Sequence, residues 1–325
     1  MTSNPTRRDL LALACAALGA APVFAQQPGD RTVRFILPNA TGSGVDAITR
    51  AAQPALAKAL GHTVIVDNQP GAGGIVGLQA LARSAPDGFT LSVVSNNVVI
   101  FPSVYKTIPF DMPGDFTPIA ICGATPIVLV VNPNKVPAKD HKEFAALLKA
   151  KPGQFNYGSG GNGTILHLTG EQYLDEIGAK ANHIPYKGVG PMVTDLIGGQ
   201  IDFGTLALPS VQQHIKSGAL RAIGVGGAQR TPAAPEIPTI AEQGLPNYVV
   251  DAWFGVLGPK GMSAADVKRV NDALVTAFAD PVVKDAMTKQ GNTINVSTPQ
   301  YAQSYFRSEK DKYAKLVKKA GIELQ

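Results

Sequence analysis

Two glycine-rich segments carry the residues that could do chemistry in this chain of 325 residues. They are residues 38–46 (PNATGSGVD) and residues 157–164 (YGSGGNGT), and each follows a predicted strand and opens a predicted helix. The first backbone N–H groups of a helix have no partner within it, and the helix dipole adds positive potential there. Hydroxyl or amide side chains beside those N–H groups could therefore help to hold an anion.

The first segment indicates ligand binding less strongly than the second. In the first, Ser43 or Thr41 could simply cap the helix, and that is the favoured interpretation of the segment taken alone. The second has four glycines within positions 158–163, more than a cap needs. Ser159, Asn162 and Thr164 add polar side chains to it. We therefore interpret the second segment as a ligand loop.

Two more turns point toward the same edge of the predicted sheets. Residues 68–74 (NQPGAGG) join a strand to a helix and could bind an anion, but close packing of the helix on the strand is the favoured interpretation. Asn97 follows the third predicted strand. A ligand contact and an ordinary turn are equally compatible with its position, so both hypotheses stay open.

Neither segment has the spacing of a catalytic motif. A nucleophile elbow, G-x-S-x-G, needs glycine two positions before the serine, and neither Ser43 nor Ser159 has one. The five histidines include no pair with zinc-ligand spacing. We expect His167, on the helix after the second segment, to cap or pack. The pattern predicts binding without catalytic residues, metal or cofactor.

An exported enzyme that uses the same loops is the alternative hypothesis. Residues 158–163 fit the dinucleotide fingerprint G-x-G-x-x-G, which also requires an acid at the end of the next strand. The next predicted strand ends in residues 183–187 (HIPYK), which include no acid. An esterase or an NAD-linked reductase is therefore less favoured than a binding protein.

Residues 1–25 have the pattern of an export signal. Arg7 and Arg8 precede a short apolar run, and Val23 and Ala25 place small residues before a cleavage site. We expect cleavage near Ala25 and a periplasmic mature protein. A twin-arginine signal and an ordinary secretory signal both fit these residues, so the export route stays open.

The composition excludes several classes of function. The formal net charge is only +5, aromatic residues are 6% of the chain, and there is no long basic cluster, so we expect no nucleic-acid binding. No later run reaches the roughly 20 apolar residues of a membrane span, so we expect none. Cys15 leaves with the signal. Cys122 lies in an apolar run, which predicts a small buried side chain.

Short apolar strands alternate with helical patterns along the mature chain, which predicts an α/β fold with mostly parallel sheets flanked by helices. The pattern starts near residue 32 and again near residue 127, and a later strand returns to the first half. We predict two lobes: residues 26–125 with 231–325, and residues 126–230. Ligands of such sheets bind at the carboxyl ends of the strands, so the cleft between the lobes is the expected site.

Several segments, taken in order, resemble the Bug-type periplasmic solute-binding receptors of tripartite tricarboxylate transporters. The resemblance covers nearly the whole mature chain and rests on VRFILPNATGSGVD, VIVDNQPGAGGIVG, APDGFTLSVVS, FNYGSGGNGTILHLTGE, HIPYKGVGPMVTDLIGGQIDF, EIPTIAEQGLP and WFGVLGP. It implies a two-lobed type II periplasmic-binding fold that closes on a small carboxylate. The expected partners are membrane transporter subunits or a sensor kinase, and we expect the receptor to be a monomer.

The resemblance also implies which residues hold one ligand carboxylate. They are Thr41, Gly42, Ser43 and Asp46 on one lobe, and Ser159, Gly160, Asn162, Gly163 and Thr164 on the other. The family usually has Pro-Gly-Gly in the first loop, where this chain has residues 41–43 (TGS), so the details of ligand choice do not carry over. Thr205 is implied to face the distal part of the ligand. Residues 203–209 lack an acidic residue, which favours a plain carboxylate over an amino acid.

Overall fold

The structure is a computed structural model that describes residues 31–322 and residue 324. The predicted export signal, residues 1–25, lies outside the described residues, so the signal and its cleavage near Ala25 stay predictions. No helix in the described part of the chain combines the length and the apolar character needed to cross a membrane. Strands and helices are numbered in chain order below.

The described residues form ten strands. They are β1 (Val33–Leu37), β2 (Val64–Asn68), β3 (Thr90–Ser95), β4 (Phe116–Val131), β5 (Asn156–Ser159), β6 (Asn182–Pro185), β7 (Phe203–Ala207), β8 (Arg221–Val225), β9 (Asp251–Pro259) and β10 (Thr293–Ile294). The α-helices are α1 (Gly44–Leu60), α2 (Ile75–Ala82), α3 (Asn97–Ile100), α4 (His141–Ala150), α5 (Ile165–Ile177), α6 (Val189–Ile197), α7 (Leu208–Lys216), α8 (Ala264–Ala279), α9 (Pro281–Lys289) and α10 (Pro299–Lys319). Two single 3₁₀ turns, Ala72–Gly74 and Phe101–Ser103, precede α2 and follow α3.

The strands pair in the order β2-β1-β3-β9-β4-β7-β5-β6, and β8 and β10 pair with β4. Parallel pairing joins β1 to β2 and β3, and β5 to β6 and β7. The strands between these two groups, β9 and β4, run antiparallel to their neighbours. Parallel neighbours need a crossover helix, which the outer strands have. The sheets are therefore mixed, with parallel parts on the outside and antiparallel strands where the sequence predicted mostly parallel ones.

Strand β4 belongs to both sheets. Its first part pairs with β9 as far as Pro126, and from Ile127 onward it pairs with β7. The chain returns to the first sheet at Asp251, the start of β9. Before that return, Ile240 and Tyr248 still pack in the core of the second sheet. The two-lobed α/β fold that the sequence predicted is present, and β4 and β9 form the junction of its sheets.

Each sheet is covered by helices whose ends the local sequence defines. Helix α1 begins after the Ser43 cap and ends at Gly61, which has a left-handed φ of 70° that suits glycine. It packs Ile48 and Leu56 against the first sheet. The thiol of Cys122 is fully buried in the same core, and this burial raises its pKa to about 12. The prediction that Cys122 is a small buried side chain is confirmed.

Candidate functional site

A cavity of about 570 Å³ is lined by strand ends and turns of both sheets. On the side of the first sheet its lining comprises residues 38–41, 43–45, 70–74, Ser95 and Asn97. On the side of the second sheet it comprises Gly160, Gly161, residues 164–166, residues 186–189 and Ala207. Thr125, Ile127 and residues 252–254, from the strands at the junction, complete it. The two glycine-rich segments therefore face one common hollow, at the carboxyl ends of strands from both sheets.

Five helices have their N-cap residue at this cavity. These residues are Ser43 for α1, Gly74 for α2, Thr164 for α5, Gly188 for α6 and Ala207 for α7, and all five line it. The hydroxyls of Ser43 and Thr164 accept N–H groups of their own helices, at 3.3 and 3.4 Å. Helices α2, α6 and α7 have no side-chain cap. Because the dipoles of all five helices direct positive potential to the same space, the cavity favours an anion.

The first glycine-rich segment is held from behind by Asp46. This side chain is only 3% exposed, and its carboxylate accepts the Gly42 N–H at 3.0 Å. The carboxylate also accepts hydrogen bonds from Arg50 at 2.9 Å and Asn68 at 3.0 Å. Thr41 and Ser43 line the cavity, whereas Gly42 and Asp46 do not. The carboxylate of Asp46 thus shapes the loop instead of facing a ligand.

The second glycine-rich segment is supported by two histidines. Ser159 is fully buried, donates to the Gly161 carbonyl at 3.0 Å and lies 2.7 Å from Nε2 of His183. The N–H of Gly163 donates to Nδ1 of His167 at 3.2 Å. The two imidazole rings stack with centroids 3.8 Å apart. Ser159 and Gly163 therefore use their polar groups to fix the loop, and neither lines the cavity.

Both imidazoles are neutral at pH 7. Burial, together with the neighbouring His183, lowers the pKa of His167 to about 3. Burial lowers the pKa of His183 to about 4. A neutral ring leaves one nitrogen free to accept a hydrogen bond, which Gly163 requires. The expectation that His167 caps and packs is confirmed.

The remaining predicted residues of this loop divide between lining and supporting positions. Gly160 and Thr164 line the cavity. Asn162 does not, and its backbone carbonyl accepts a hydrogen bond from the Tyr105 hydroxyl at 3.4 Å. Tyr105 lies in the first half of the chain, so this bond crosses from one glycine-rich loop to the opposite side of the cavity.

Asn97 lines the cavity and makes a second crossing contact. Its Oδ1 accepts the N–H of Ile165, the first residue of α5, at 2.7 Å. Its Nδ2 has no hydrogen-bond partner among the described residues, so it is available as a donor toward the cavity. Asn97 thus closes part of the gap between the two glycine-rich loops.

Thr205 does not line the cavity, although the resemblance implied that it faces the distal part of a ligand. It is fully buried, and its hydroxyl lies 2.7 Å from the Leu166 carbonyl and 2.8 Å from the Thr169 hydroxyl. These contacts satisfy the hydroxyl within the protein. Ala207, two residues further along β7 on the same face, lines the cavity instead.

Several lining residues were missed by the sequence analysis. The turn after β6 supplies Tyr186, Lys187 and Gly188, and β9 supplies Trp253 and Phe254. The glycine before α6 is a signal that could have revealed this turn, because it follows a strand and opens a helix as the two recognised loops do. Residues 70–74, for which packing was favoured, also line the cavity.

Few side chains that line the cavity are charged. Lys187 is the one charged side chain among the described lining residues, and it is exposed. No carboxylate lines the cavity in the described part of the chain, so nothing there would repel an anion. Nor do the described residues contain any group of three or more His, Cys, Asp or Glu side chains placed to hold a metal ion.

A serine and a histidine are in hydrogen-bond contact near the site, but in an unsuitable place for catalysis. Ser159 and His183 are 2.7 Å apart, as in a nucleophile and its base. Ser159, however, is fully buried behind the loop and does not reach the cavity. The contact therefore stabilises the loop.

Comparison with known proteins places the chain in a family. The sequence model of the tripartite tricarboxylate transporter family receptor matches residues 48–322. The chain belongs to this receptor family. BugT of Bordetella pertussis is a similar member of the family, 34% identical over 308 residues that cover 94% of each chain.

Solved structures of receptors with the same fold agree with this assignment. The periplasmic binding protein BugD superposes with a TM-score of 0.85 at 30% identity, over 91% of this chain and 99% of BugD. A Rhodopseudomonas palustris protein solved with adipate gives a TM-score of 0.87 at 26% identity, over 92% of this chain and all of that one (100%). The fold of this receptor is therefore that of periplasmic solute-binding proteins.

Proposed function

We propose that the mature chain is an exported, monomeric receptor that captures a small carboxylate in this cavity and delivers it to a tripartite tricarboxylate-type transporter or a sensor kinase. It performs no chemistry on the ligand. The observation that carries the proposal is the convergence of five helix N-termini on one cavity, three of them without a side-chain cap. The adipate in the Rhodopseudomonas palustris relative supports the same class of ligand.

The ligand carboxylate is held by backbone N–H groups at the starts of α6 and α7 and by side-chain donors nearby. Thr41 and the amide nitrogen of Asn97 line the cavity and have no hydrogen-bond partner among the described residues. Gly160 completes the contact on the second glycine-rich loop, whereas Ser43 and Thr164 line the cavity with hydroxyls that cap α1 and α5. The exposed ammonium group of Lys187 attracts the anion to the cavity mouth.

The donors suffice in energy without a buried arginine. A hydrogen bond to a charged group contributes about 1.5–3 kcal/mol. Four such bonds contribute about 6–12 kcal/mol before the costs of desolvation and closure. A micromolar dissociation constant needs about 8 kcal/mol.

Release of the ligand requires the two lobes to separate. We propose that they are residues 26–125 with 231–325 and residues 126–230, and that they move about β4 and β9. Strand β4 pairs in both sheets, and β9 begins where the chain returns to the first sheet. Cavity residues Thr125 and Ala252 lie on these two strands. The side-chain contacts of Asn97 and Tyr105 across the cavity would break in this motion.

Calorimetry tests the proposal. Protein freed of co-purified ligand by unfolding and refolding is titrated with mono-, di- and tricarboxylates, adipate included, and with the uncharged diamide of adipate as the matched control. We expect micromolar binding of at least one carboxylate and none of the diamide. A refolded protein that binds no carboxylate would overturn the proposal. Crosslinking of the loaded receptor to membrane subunits of the transporter tests the delivery step.

A further inference from the structure

Several polar side chains around the cavity already have partners within the protein, whereas the hydroxyls of Thr41, Ser95 and Thr125 have none among the described residues. Ser43 and Thr164 cap helices, and the Tyr186 hydroxyl donates to Asp195 at 2.8 Å. Thr125 is only 3% exposed, yet its hydroxyl makes no hydrogen bond within the described part of the chain. Because this hydroxyl borders the cavity and is not used within the protein, it is free to bond a group of a molecule that occupies the cavity.

The position of Thr125 is fixed by strand pairing. It lies opposite Ala252 of β9, and Ile127, two residues further along β4, lies opposite Ala207 of β7. Side chains alternate along a strand, so Thr125 and Ile127 share the face that lines the cavity. Ala207 is the N-cap of α7, which has no side-chain cap. The hydroxyl thus lies on the cavity floor, in the same strand layer as the start of α7.

Packing alone does not explain a threonine at this position. Valine has nearly the same shape and suits a strand equally well. It would also avoid an unpartnered hydroxyl beside Ile127 and Ala252. Thr205, the residue implied to face the distal part of the ligand, differs in this respect because its hydroxyl is satisfied by Leu166 and Thr169.

We propose that the Thr125 hydroxyl, beside the start of α7, binds a second oxygen-bearing group of the ligand. The proposal rests on the proposed function, since it assigns the ligand to substituted carboxylates: dicarboxylates or hydroxy acids. A hydroxyl both donates and accepts, so it suits a carboxylate or a hydroxyl group. An ammonium group is disfavoured, because no acidic side chain lines the described cavity.

Two pairs of probes test the proposal by calorimetry. Adipate and hexanoate have the same chain length and differ in the second carboxylate, and malate and succinate differ in one hydroxyl. For at least one pair we expect the affinity of the wild type for the more oxygenated member to be at least about ten-fold higher. We expect Thr125→Val to reduce that preference to about three-fold or less, and Thr125→Ser, which keeps the hydroxyl, to retain it.

The outcomes separate this inference from the proposed function. A preference in the first pair alone identifies a second carboxylate, and one in the second pair alone identifies a hydroxyl. If the wild type binds carboxylates without either preference, the inference fails and the receptor function stands. If Thr125→Val retains the preference, Thr125 is not the contact. Binding of no carboxylate at all overturns both, and thermal unfolding of each variant verifies that it is folded.

Discussion

Helices α1 and α5 begin at the cavity with hydroxyl caps, whereas α6 and α7 begin there without a side-chain cap. The first pair follows the segments richest in glycine and hydroxyl residues. Yet the hydroxyls of Ser43 and Thr164 are already bonded to their own helices. The plainer starts, at Gly188 and Ala207, leave N–H groups available to a ligand. A segment rich in hydrogen-bond donors therefore does not necessarily leave those donors available to a ligand.

The supports behind the two glycine-rich loops differ as well. A carboxylate, that of Asp46, holds the first loop through the Gly42 N–H. Neutral imidazoles hold the second, through the Gly163 N–H and the Ser159 hydroxyl. An acceptor is needed in both places, because each loop turns N–H groups toward its own interior. The imidazoles make the second loop sensitive to acid.

The largest effect is expected at an uncapped helix start. Ala207→Asp places a carboxylate at the N-cap of α7, where it caps the helix and repels an anion in the cavity. Like charges about 4 Å apart repel by about 4 kcal/mol at an effective dielectric constant of 20. We expect the affinity for the best-bound carboxylate of the panel to fall about 100-fold or more, measured by calorimetry.

Ala207→Asn is the matched control, because asparagine caps a helix as well as aspartate does but carries no charge. We expect it to change the affinity less than about five-fold and neither variant to lower the melting temperature. Equal affinities of the two variants would mean that the start of α7 does not face the bound anion.

Acid should weaken the second loop. The unfolded chain binds protons at imidazole below about pH 6.5, whereas His167 and His183, with folded pKa values lowered to about 3 and about 4, stay neutral. Stability is therefore full above about pH 6.5 and declines as the pH falls toward the folded values. We expect the free energy of unfolding to drop by about 1–2 kcal/mol between about pH 7 and about pH 5.5, measured by urea unfolding.

A His183→Gln variant separates this contribution from that of other titrating groups. Glutamine keeps a polar group near Ser159 and removes one imidazole that must stay neutral in the folded state. Its stability should depend less steeply on pH than that of the wild type. Identical pH dependence of the two proteins would contradict the role given to His183.

The smallest effect is expected at a capped helix start. Thr164→Ala removes the hydroxyl that caps α5, so the free energy of unfolding should fall by about 1 kcal/mol, while carboxylate affinity should change less than about three-fold. Thr164→Ser, which keeps the hydroxyl, should behave like the wild type in both measurements. If affinity falls and stability does not, the hydroxyl serves the ligand, and the distinction between capped and uncapped starts fails.

Much of the fold follows from local signals in the sequence. The sequence predicted a helix after the second glycine-rich segment, and α5 begins there because Thr164 caps its start, while Gly178 ends it with a left-handed φ of 65°. Helix α7 lacks such a signal, since it has no side-chain cap and Pro209 stands in its first turn, where proline is tolerated. Strand β4 belongs to two sheets because it pairs with strands that are distant in the sequence. Local sequence patterns do not reveal such pairing.

The site was predictable in position more than in detail. Turns after strands with glycine at a helix start were expected to share a cleft, and Thr41, Ser43, Gly160 and Thr164 do line one cavity. Whether a polar group remains free depends on partners far along the chain. The Thr205 hydroxyl, for example, donates to the backbone carbonyl of Leu166, and no pattern in the sequence around Thr205 or around Leu166 indicates that hydrogen bond. The same holds for the unpartnered hydroxyl of Thr125.

The burial of Cys122 has a practical consequence. It is the only cysteine in residues 26–325, and its thiol is fully buried with a pKa raised to about 12. Maleimide dyes react with accessible thiolates, so they should leave this side chain untouched. A cysteine introduced at the exposed Lys187 position would then be the sole labelling point, and a fluorophore there would report ligand occupancy without removal of the native thiol.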